Sequence, residues 1–566
     1  MKILLLTHAF NSLTQRLHIE LREKGHEVSV EFDINDATTI EAVGLFQPDL
    51  IVAPFLKRAI PEQVWKKQCC LIVHPGIKGD RGPSALDWAI LQDQPSWGVT
   101  VLQANAEMDA GDIWATSQFP MRNASKASLY RNEITEAAVE AVLLTVERYQ
   151  RGDYEPEPLD YHDPGTLGRL QPQMTQADRK IDWLKDNTET VMRKIRCADG
   201  FPGVLDSWNG REFYLYDARP EYSLSGAPGE LIARSGNAVC RATLDGAVWI
   251  GHLREKQGKH PFKLPAVQVL GESAEPVPET AGGYQEIEYL EQGDVGYLCF
   301  PFYNGAMGTE QCNALRQAYI GARQRETRVI VLMGGADFWS NGLHLNLIEA
   351  AESPADESWA NINAINDLAR EIICTDSHVT VSALQGNAGA GGVFLARCSD
   401  YVWARSGVVL NPHYKDMGNL YGSEYWTYLL PKRVGAQQAR QIIEARLPMG
   451  TREAKSLGLV DDFFATTQET FRTELNQRLK QLASATDFSA QLNRKREQRA
   501  ADEAEKPLPA YREEELARMN LNFYGFDPSY HVARYNFVYK VPKSRTPITI
   551  ARHRDKRRRA NIQKVL

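Results

Sequence analysis

Residues 73–90 read VHPGIKGDRGPSALDWAI, and this stretch decides how the first part of the chain folds. An apolar strand runs into His74, a loop rich in glycine follows, and a new helix begins near Ala85. We expect a doubly wound parallel sheet with its ligands at the carboxyl ends of the strands. The alternation that predicts it consists of strands at 2–7, 27–32, 49–54 and 69–74 and an amphipathic helix at 12–24.

Bulk properties narrow the class of protein. A chain of 566 residues is too long for one hydrophobic core, so we expect two or three domains. The eight cysteines form no Cys-x-x-Cys pair, which predicts a reduced, cytoplasmic protein without a resident metal. The formal net charge of -7 gives no case for nucleic acid, and no apolar window is long enough to predict a membrane span.

Composition and periodicity predict five segments. Short β-patterned runs such as REFYLYDA and AVWIGHL predict a small barrel of the OB type after the first domain. A second α/β domain follows a linker rich in Pro, Gly and Glu, and the chain ends in a helical, aromatic and basic tail. The expected bounds are 1–155 for the first domain, 156–270 for the barrel, 271–285 for the linker, 286–500 for the second α/β domain and 501–566 for the extension.

A histidine and a carboxylate form the first candidate site. His74 ends a strand, and the stretch GVTVLQANAEMDAGDIW brings an Asp-x-Gly turn at Asp109 and Gly111. Such a pair suits acyl transfer, because attack on a formamide needs an oxyanion donor and a proton for the amine that leaves. The alternative is that both side chains only cap strand ends.

Residues 1–270 resemble the formyl-tetrahydrofolate-dependent formyltransferases on these motifs and on KIDWLKDNTETVMRKIRCADGFPGV. The resemblance implies that His74 is the oxyanion donor and acid and that Asp109 orients it and relays protons. It also implies that the pteridine lies against the backbone at Arg58 and Ile60. Arg131 either contacts the folate carboxylates or is a solvated charge. The family's catalytic asparagine aligns with Ile72, so one oxyanion donor is missing.

Two glycine-rich turns form the second candidate site. GGADFWSNGLHLN follows the strand RVIVLM, and LQGNAGAGG follows VTVSA. Small residues let a backbone approach a ligand closely, and two convergent N–H groups would make an oxyanion hole for a thioester carbonyl. The alternative is tight packing of helix against sheet without a ligand.

Residues 296–464 resemble the crotonase superfamily of enoyl-CoA hydratases and isomerases on these turns and on the late stretch that ends in SLGLVDDFF. The resemblance implies an oxyanion hole from the amides of Leu343 and Gly391 and places His344 near the adenine side of coenzyme A. Phe394 and His413 stand where a hydratase has its two glutamates. We therefore do not expect water addition to an enoyl group.

The stretch NPHYKDMGNLYGSEYW supplies polar groups near the acyl position in place of those acids. One or more of them would move a proton or hold a thiolate, while most of the aromatic rings are expected to pack. Asn304 is a further candidate for the cleft, although Asn-Gly often marks only a turn. The candidates in the stretch are His413, Tyr414, Tyr421, Ser423 and Glu424.

The combination of both halves resembles the HypX/HoxX family of [NiFe]-hydrogenase maturation factors over essentially the whole chain, notably in LNPHYKDMGNLYGSEYWTYLLP. The resemblance implies formyl transfer from N10-formyl-tetrahydrofolate to coenzyme A, followed by decarbonylation of formyl-CoA to carbon monoxide. It also implies hydrogenase maturation proteins or the large-subunit precursor as partners.

Two other functions remain open at this stage. One is an independent pair of enzymes, a formyl-folate hydrolase beside an acyl-CoA-processing enzyme. The other is a scaffold without catalysis. The basic tail from Lys540 onward is either a solvated end or a contact for coenzyme A phosphates.

Overall fold

The structure, a computed structural model, describes residues 1–555, which form two compact units. The first unit comprises Met1–Tyr284 together with the stretch that begins at Pro542, and the second is Gln285–Val541. Along the chain, the second unit is therefore inserted between two parts of the first. Among the described residues, no helix combines the length and the apolarity that a membrane span needs.

The first unit opens with β1 (Lys2–Thr7), α1 (Ser12–Glu23), β2 (Glu27–Phe32), α2 (Asp36–Phe46), β3 (Leu50–Phe55), α3 (Glu62–Trp65), β4 (Cys70–His74), α4 (Ala85–Leu91), β5 (Ser96–Gln103), β6 (Ile113–Pro120), α5 (Lys126–Leu129) and α6 (Thr135–Arg151). The sheet order is β2-β1-β3-β4-β5-β6. Strands β1 to β4 pair in parallel, which confirms the predicted parallel sheet, and β5 and β6 add an antiparallel edge. His74 lies at the carboxyl end of β4, where such sheets place ligands.

The middle of the first unit is the segment predicted as a small barrel, and its sheet does not close within the described residues. Its elements are α7 (Thr188–Arg196), β7 (Val204–Trp208), β8 (Arg211–Glu221), β9 (Leu231–Ser235), β10 (Ala238–Ala242), β11 (Ala247–Glu255), β12 (Leu264–Pro265) and α8 (Ala266–Leu270). The order is β7-β8-β11-β10-β9, with β12 on β11, and β7 and β9 do not pair within the described residues. Closure is prevented because the edge of β9 at Arg234 already bonds to Pro278 and Thr280 of the following segment.

The C-terminal stretch returns to the first unit and covers the edge strand β2. Val30 N–H donates to the Ile550 carbonyl at 3.0 Å, and Phe32 N–H donates to Thr546 Oγ1 at 2.8 Å. The fully buried Glu31 accepts from His553 Nε2 at 2.7 Å. Residues 546–554 are therefore bound to β2, and the expectation of a solvated basic end is wrong for them. A cover of this kind protects the edge of a sheet. The arginine run at 557–559 lies outside the described residues.

The second unit contains two sheets. Its strands are β13 (Glu288–Gln292), β14 (Val295–Phe300), β15 (Val329–Gly334), β16 (Phe338–Ser340), β17 (Val379–Leu384), β18 (Asn387–Gly389), β19 (Tyr401–Arg405), β20 (Val409–Asn411), β21 (Met449–Gly450) and β22 (Asp462–Phe464). The larger sheet has the order β13-β14-β15-β17-β19-β22 and is parallel from β14 onward. The smaller sheet has the order β16-β18-β20-β21, and its first strand lies within the first glycine-rich turn.

Strand β15 shows why the larger sheet forms. Every residue of VIVLMG is buried. Alternate side chains enter two separate apolar clusters, with Ile330 and Leu332 in one and Val329 and Val331 in the other. A continuous apolar run is typical of a parallel strand covered on both faces.

Helices cover both faces of this unit, and its last helices are part of its core. They are α9 (Thr309–Ala322), α10 (Leu345–Ala350), α11 (Pro354–Ile373), α12 (Gly391–Arg397), α13 (Trp426–Ala445), α14 (Thr451–Ser456), α15 (Gln468–Ala483), α16 (Phe488–Glu505), α17 (Leu508–Tyr524) and α18 (Ser529–Val538). Leu508, Met519, Phe523 and Tyr530 are buried in the same cluster as Leu332. Helices α17 and α18 therefore contribute to the core of the second unit.

Candidate active sites

His74 lies between two carboxylates in the first unit. Its Nε2 is 2.8 Å from Asp80 Oδ2, and its Nδ1 is 3.6 Å from Asp109 Oδ2. With Asp80 ionised, Nε2–H donates to it, because a carboxylate only accepts. Burial raises the pKa of Asp80, the hydrogen bond from His74 opposes this, and the charge of Asp109 adds to the rise. The structure thus brings the two predicted residues together and adds Asp80.

Small residues make this arrangement possible. A Cβ at Gly76 would lie 2.5 Å from both Asp80 Oδ2 and His74 Nε2, so a larger residue would separate the pair. Asp109 has a left-handed φ of 52°, and its Oδ2 accepts from the Gly82 N–H at 3.2 Å. A Cβ at Gly111 would overlap the Gln103 carbonyl. The Asp-x-Gly spacing is therefore required by the turn that aims the carboxylate at His74.

The other residues that the resemblance relates to the folate site have different surroundings from one another. Ile72 packs against an apolar cluster that includes the buried Ile60, so no side-chain amide stands at the position of the family's asparagine. The Arg58 side chain pairs with Asp36 at 2.9 Å on the surface. Arg131 lies in a π-helical turn, Tyr130–Ile134, a type of irregularity that is frequent at functional sites.

The two glycine-rich turns of the second unit lie side by side. Strands β16 and β18 pair in parallel, and a Cβ built at Gly342 would lie 3.4 Å from the Gly391 nitrogen. Leu343 follows Gly342, and Gly391 opens α12, where a backbone N–H has no partner within its helix. Ala390 has φ 48° and ψ -126°, a strained conformation of the kind found at functional sites. This geometry fits a pair of convergent amides.

Glu424 lies directly against Gly391. A Cβ at Gly391 would overlap the Glu424 carboxyl, so only glycine admits that side chain here. Tyr414 Oη donates to Glu424 Oε2 at 2.7 Å, and its ring stacks on Phe394 with centroids 5.5 Å apart. Burial raises the pKa of Glu424 to about 8; the Tyr414 hydrogen bond opposes the rise and the Glu515 charge adds to it. A buried carboxyl of this kind can exchange a proton near neutral pH.

Of the remaining predicted residues of the stretch, only Ser423 joins this network. Its hydroxyl lies 2.8 Å from Asn366 Nδ2. Tyr421 packs its ring on Trp426 with centroids 5.4 Å apart. His413 is buried, which lowers its pKa, and its Nδ1 has no hydrogen-bond partner among the described residues. The structure therefore groups Tyr414 with Glu424 and leaves His413 outside that pair.

Two further predicted contacts belong to the turns. Asn304 has a left-handed φ of 55°, and its carbonyl accepts from Asn341 Nδ2 at 2.8 Å beside the first glycine-rich turn. His344 Nδ1 accepts from the Leu347 N–H at 3.2 Å and caps α10, which is a structural role. Both residues thus support the backbone around Leu343.

Three polar residues of these sites were not predicted. Asp80 lies in the quoted loop, six positions after His74. The sequence feature that could have identified it is a carboxylate beside glycines in that loop. Asn366 and Glu515 lie on α11 and α17, far along the chain from Glu424. No local motif marks them, because only the tertiary fold brings those helices to the segment.

Three family models match the chain. Formyl transferase matches residues 23–146, the formyl transferase C-terminal domain matches residues 173–264, and enoyl-CoA hydratase/isomerase matches residues 301–522. The fold and sites thus define a formyltransferase-like half joined to an enoyl-CoA hydratase-like half. Methionyl-tRNA formyltransferase of Halalkalibacterium halodurans is 26% identical over 233 residues, 40% of this chain and 72% of its own length.

Two full-length relatives specify the family. The hydrogenase maturation factor HoxX of Bradyrhizobium diazoefficiens is 58% identical over 558 residues, 98% of each chain. The crystal structure of HypX from Aquifex aeolicus in complex with tetrahydrofolic acid is 50% identical, with a TM-score of 0.94 over 98% of this chain and 99% of that one. The chain belongs to the HypX/HoxX family of hydrogenase maturation factors.

Proposed function

We propose that this protein makes carbon monoxide for [NiFe]-hydrogenase maturation. It would transfer the formyl group of N10-formyl-tetrahydrofolate to coenzyme A and then decarbonylate the formyl-CoA. The observation that carries the proposal is the Glu424 carboxyl against Gly391, at a site where Phe394 and His413 replace the acids of a hydratase. The HypX relative crystallised with tetrahydrofolic acid supports folate as the formyl carrier.

In the first step the coenzyme A sulfur, as thiolate, attacks the formyl carbon. The C–N10 bond breaks, and N10 takes a proton. Asp80 fixes His74 through Nε2, so Nδ1 faces Asp109 across 3.6 Å, longer than a hydrogen bond. In its doubly protonated form, His74 donates from Nδ1–H to an oxygen of the tetrahedral intermediate, and Asp109 passes to N10 the proton that the coenzyme A thiol gives up on forming the thiolate.

In the second step the formyl thioester loses carbon monoxide. The amides of Leu343 and Gly391 hold the carbonyl oxygen, and the Glu424 carboxylate removes the formyl proton. The C–S bond breaks with its electron pair on sulfur, and the thiolate is protonated from Glu424 or through Tyr414. The products are carbon monoxide and coenzyme A, and no oxidant or reductant is required.

The full chain, incubated anaerobically with formyl-tetrahydrofolate and coenzyme A, tests this proposal. Carbon monoxide, detected by its haemoglobin complex, should form only when both substrates are present. Glu424→Gln should stop its release while formyl-CoA accumulates, and His74→Ala should stop both. Glu513→Gln, an exposed change on α17, is the matched control and should keep full activity.

The rival functions give different results. Folate turnover that is independent of coenzyme A would indicate two separate enzymes. Hydrogenase maturation that survives His74→Ala would indicate a scaffold, and either result would overturn the proposal. The same family membership supports a maturation protein or the hydrogenase large-subunit precursor as the partner that receives the product.

A further inference from the structure

Helix α17 provides the acceptors for the backbone around Glu424. Asn522 Oδ1 accepts from the Tyr421 N–H at 3.0 Å, and Met519 Sδ accepts from the Gly422 N–H at 3.2 Å. Glu515 accepts from two further N–H groups of the same segment. Positions 515, 519 and 522 are spaced by four and three residues, so they share one face of the helix. This face therefore holds residues 421–427.

Glu515 makes most of these bonds. Its Oε2 accepts from the Tyr425 N–H at 3.0 Å and from Ser423 Oγ at 3.2 Å. Its Oε1 accepts from the N–H and the hydroxyl of Thr427 at 2.9 and 2.6 Å. The carboxylate is fully buried and has a donor in each of four positions. Such a set of donors stabilises the ionised form of a buried carboxyl against the cost of burial.

The segment needs this support because its backbone is strained. Glu424 and Tyr425 are consecutive residues with left-handed φ of 58° each. Each such residue costs about 1–2 kcal/mol without glycine. From the other side, Asn366 Oδ1 accepts from the Glu424 N–H at 2.9 Å. Glu515 and Asn366 together therefore hold a conformation that the chain would otherwise leave.

The two glutamates also interact electrostatically. Burial raises the pKa of Glu515 to about 7, and the bonds from Thr427, Tyr425 and Ser423 limit the rise. The charge of Glu515 in turn helps to raise the pKa of Glu424. The other titratable groups that face this pair are Tyr414, Tyr421, Cys312 and Cys398.

We propose that Glu515 is the positioning residue of the second active site, where it holds residues 421–427 so that the Glu424 carboxyl lies against Gly391. It acts through Glu424 and touches no substrate. A second effect follows from its charge, which makes Glu424 a stronger base than burial alone would. The catalytic part of this inference rests on the proposed function, whereas its effect on the titration of Glu424 does not.

Infrared difference titration of the full chain tests the inference. The carbonyl band of the protonated Glu424 carboxyl is identified by its loss in Glu424→Gln. In Glu515→Gln the midpoint of this band should move to lower pH, and in Glu513→Gln it should not move. Carbon monoxide release by Glu515→Gln should fall about 10²-fold in kcat with little change in KM, because a misplaced group loses that much rate. Glu515→Asp should recover part of it.

Each outcome has one meaning. An unchanged titration in a folded Glu515→Gln, or kcat equal to that of Glu513→Gln, would overturn the inference. If wild type releases no carbon monoxide, the proposed function fails, and the titration still decides the role of Glu515. If Glu515→Gln does not fold, Glu515→Asp takes its place, because it keeps the charge and shortens the side chain; kcat equal to that of Glu513→Gln would then overturn the inference.

Discussion

Replacing Glu424 with glutamine should make the second unit increasingly more stable than that of the wild type as the pH rises, although it removes the carboxylate proposed as the base. The folded protein binds a proton at Glu424 up to about pH 8, whereas an ordinary glutamate releases it near pH 4.5. Between these values the folded state holds more protons than the unfolded state. The free energy of unfolding of the wild type therefore falls with increasing pH through this group. Glutamine does not titrate, so the free energy of unfolding of the variant does not fall through this group.

The size of the effect follows from the width of that window. One pKa unit corresponds to about 1.4 kcal/mol. Between pH 6 and pH 8 the folded carboxyl passes from almost fully protonated to half protonated, so the advantage of the variant should grow by about 2 kcal/mol. A difference that does not depend on pH, such as the altered bond to Tyr414, cancels, whereas the response of Glu515, which titrates in the same range, stays in the comparison. The change in the difference is therefore the quantity to measure.

Hydrogen exchange followed by mass spectrometry can measure it within the second unit alone. The amides of β15, at the centre of the larger sheet, report the free energy of opening after correction for the intrinsic exchange rate at each pH. Wild type, Glu424→Gln and the exposed control Glu513→Gln are compared at pH 6 and pH 8. An equal difference between wild type and Glu424→Gln at both pH values would refute the assignment of a raised pKa to Glu424.

The other two predictions concern the first unit. Asp80→Asn should lower kcat for formyl transfer about 10²-fold or more with KM retained, because His74 loses the carboxylate that orients it. Stopped-flow measurement of folate absorbance gives this rate. A rate equal to that of the exposed control Asp112→Asn would contradict the prediction. His553→Ala should destabilise the first unit by about 2–3 kcal/mol in urea unfolding, since the buried Glu31 loses a hydrogen-bond partner, and His162→Ala on the surface should not.

Much of the fold could be predicted because its signals are local. Continuous apolar strands such as β15 and the glycine-rich turns after β15 and β17 identify parallel sheets and their functional ends. Whether the small barrel closes could not be predicted, because short alternating strands do not reveal which edges pair. Its β9 edge is taken by Pro278 and Thr280, which carry no strand pattern.

The site residues differ in the same way between local signals and contacts made only by the tertiary fold. His74 and Glu424 were found from motifs, because each belongs to a short stretch with a recognisable sequence. Glu515 could not be found that way, since it reaches Glu424 from a helix that looks like an ordinary charged surface helix in sequence. The role of His413, which is buried next to Tyr414 in sequence, stays a prediction.

The return of residues 546–554 to β2 has a consequence for synthesis of the chain. Glu31 is made among the first residues, yet its partners His553 and Arg554 leave the ribosome only after the whole second unit has been translated. Until then, residues 546–554 are not present to cover the edge strand β2 of the first sheet. Premature termination within the second unit would therefore also remove the residues that cover β2 in the first unit.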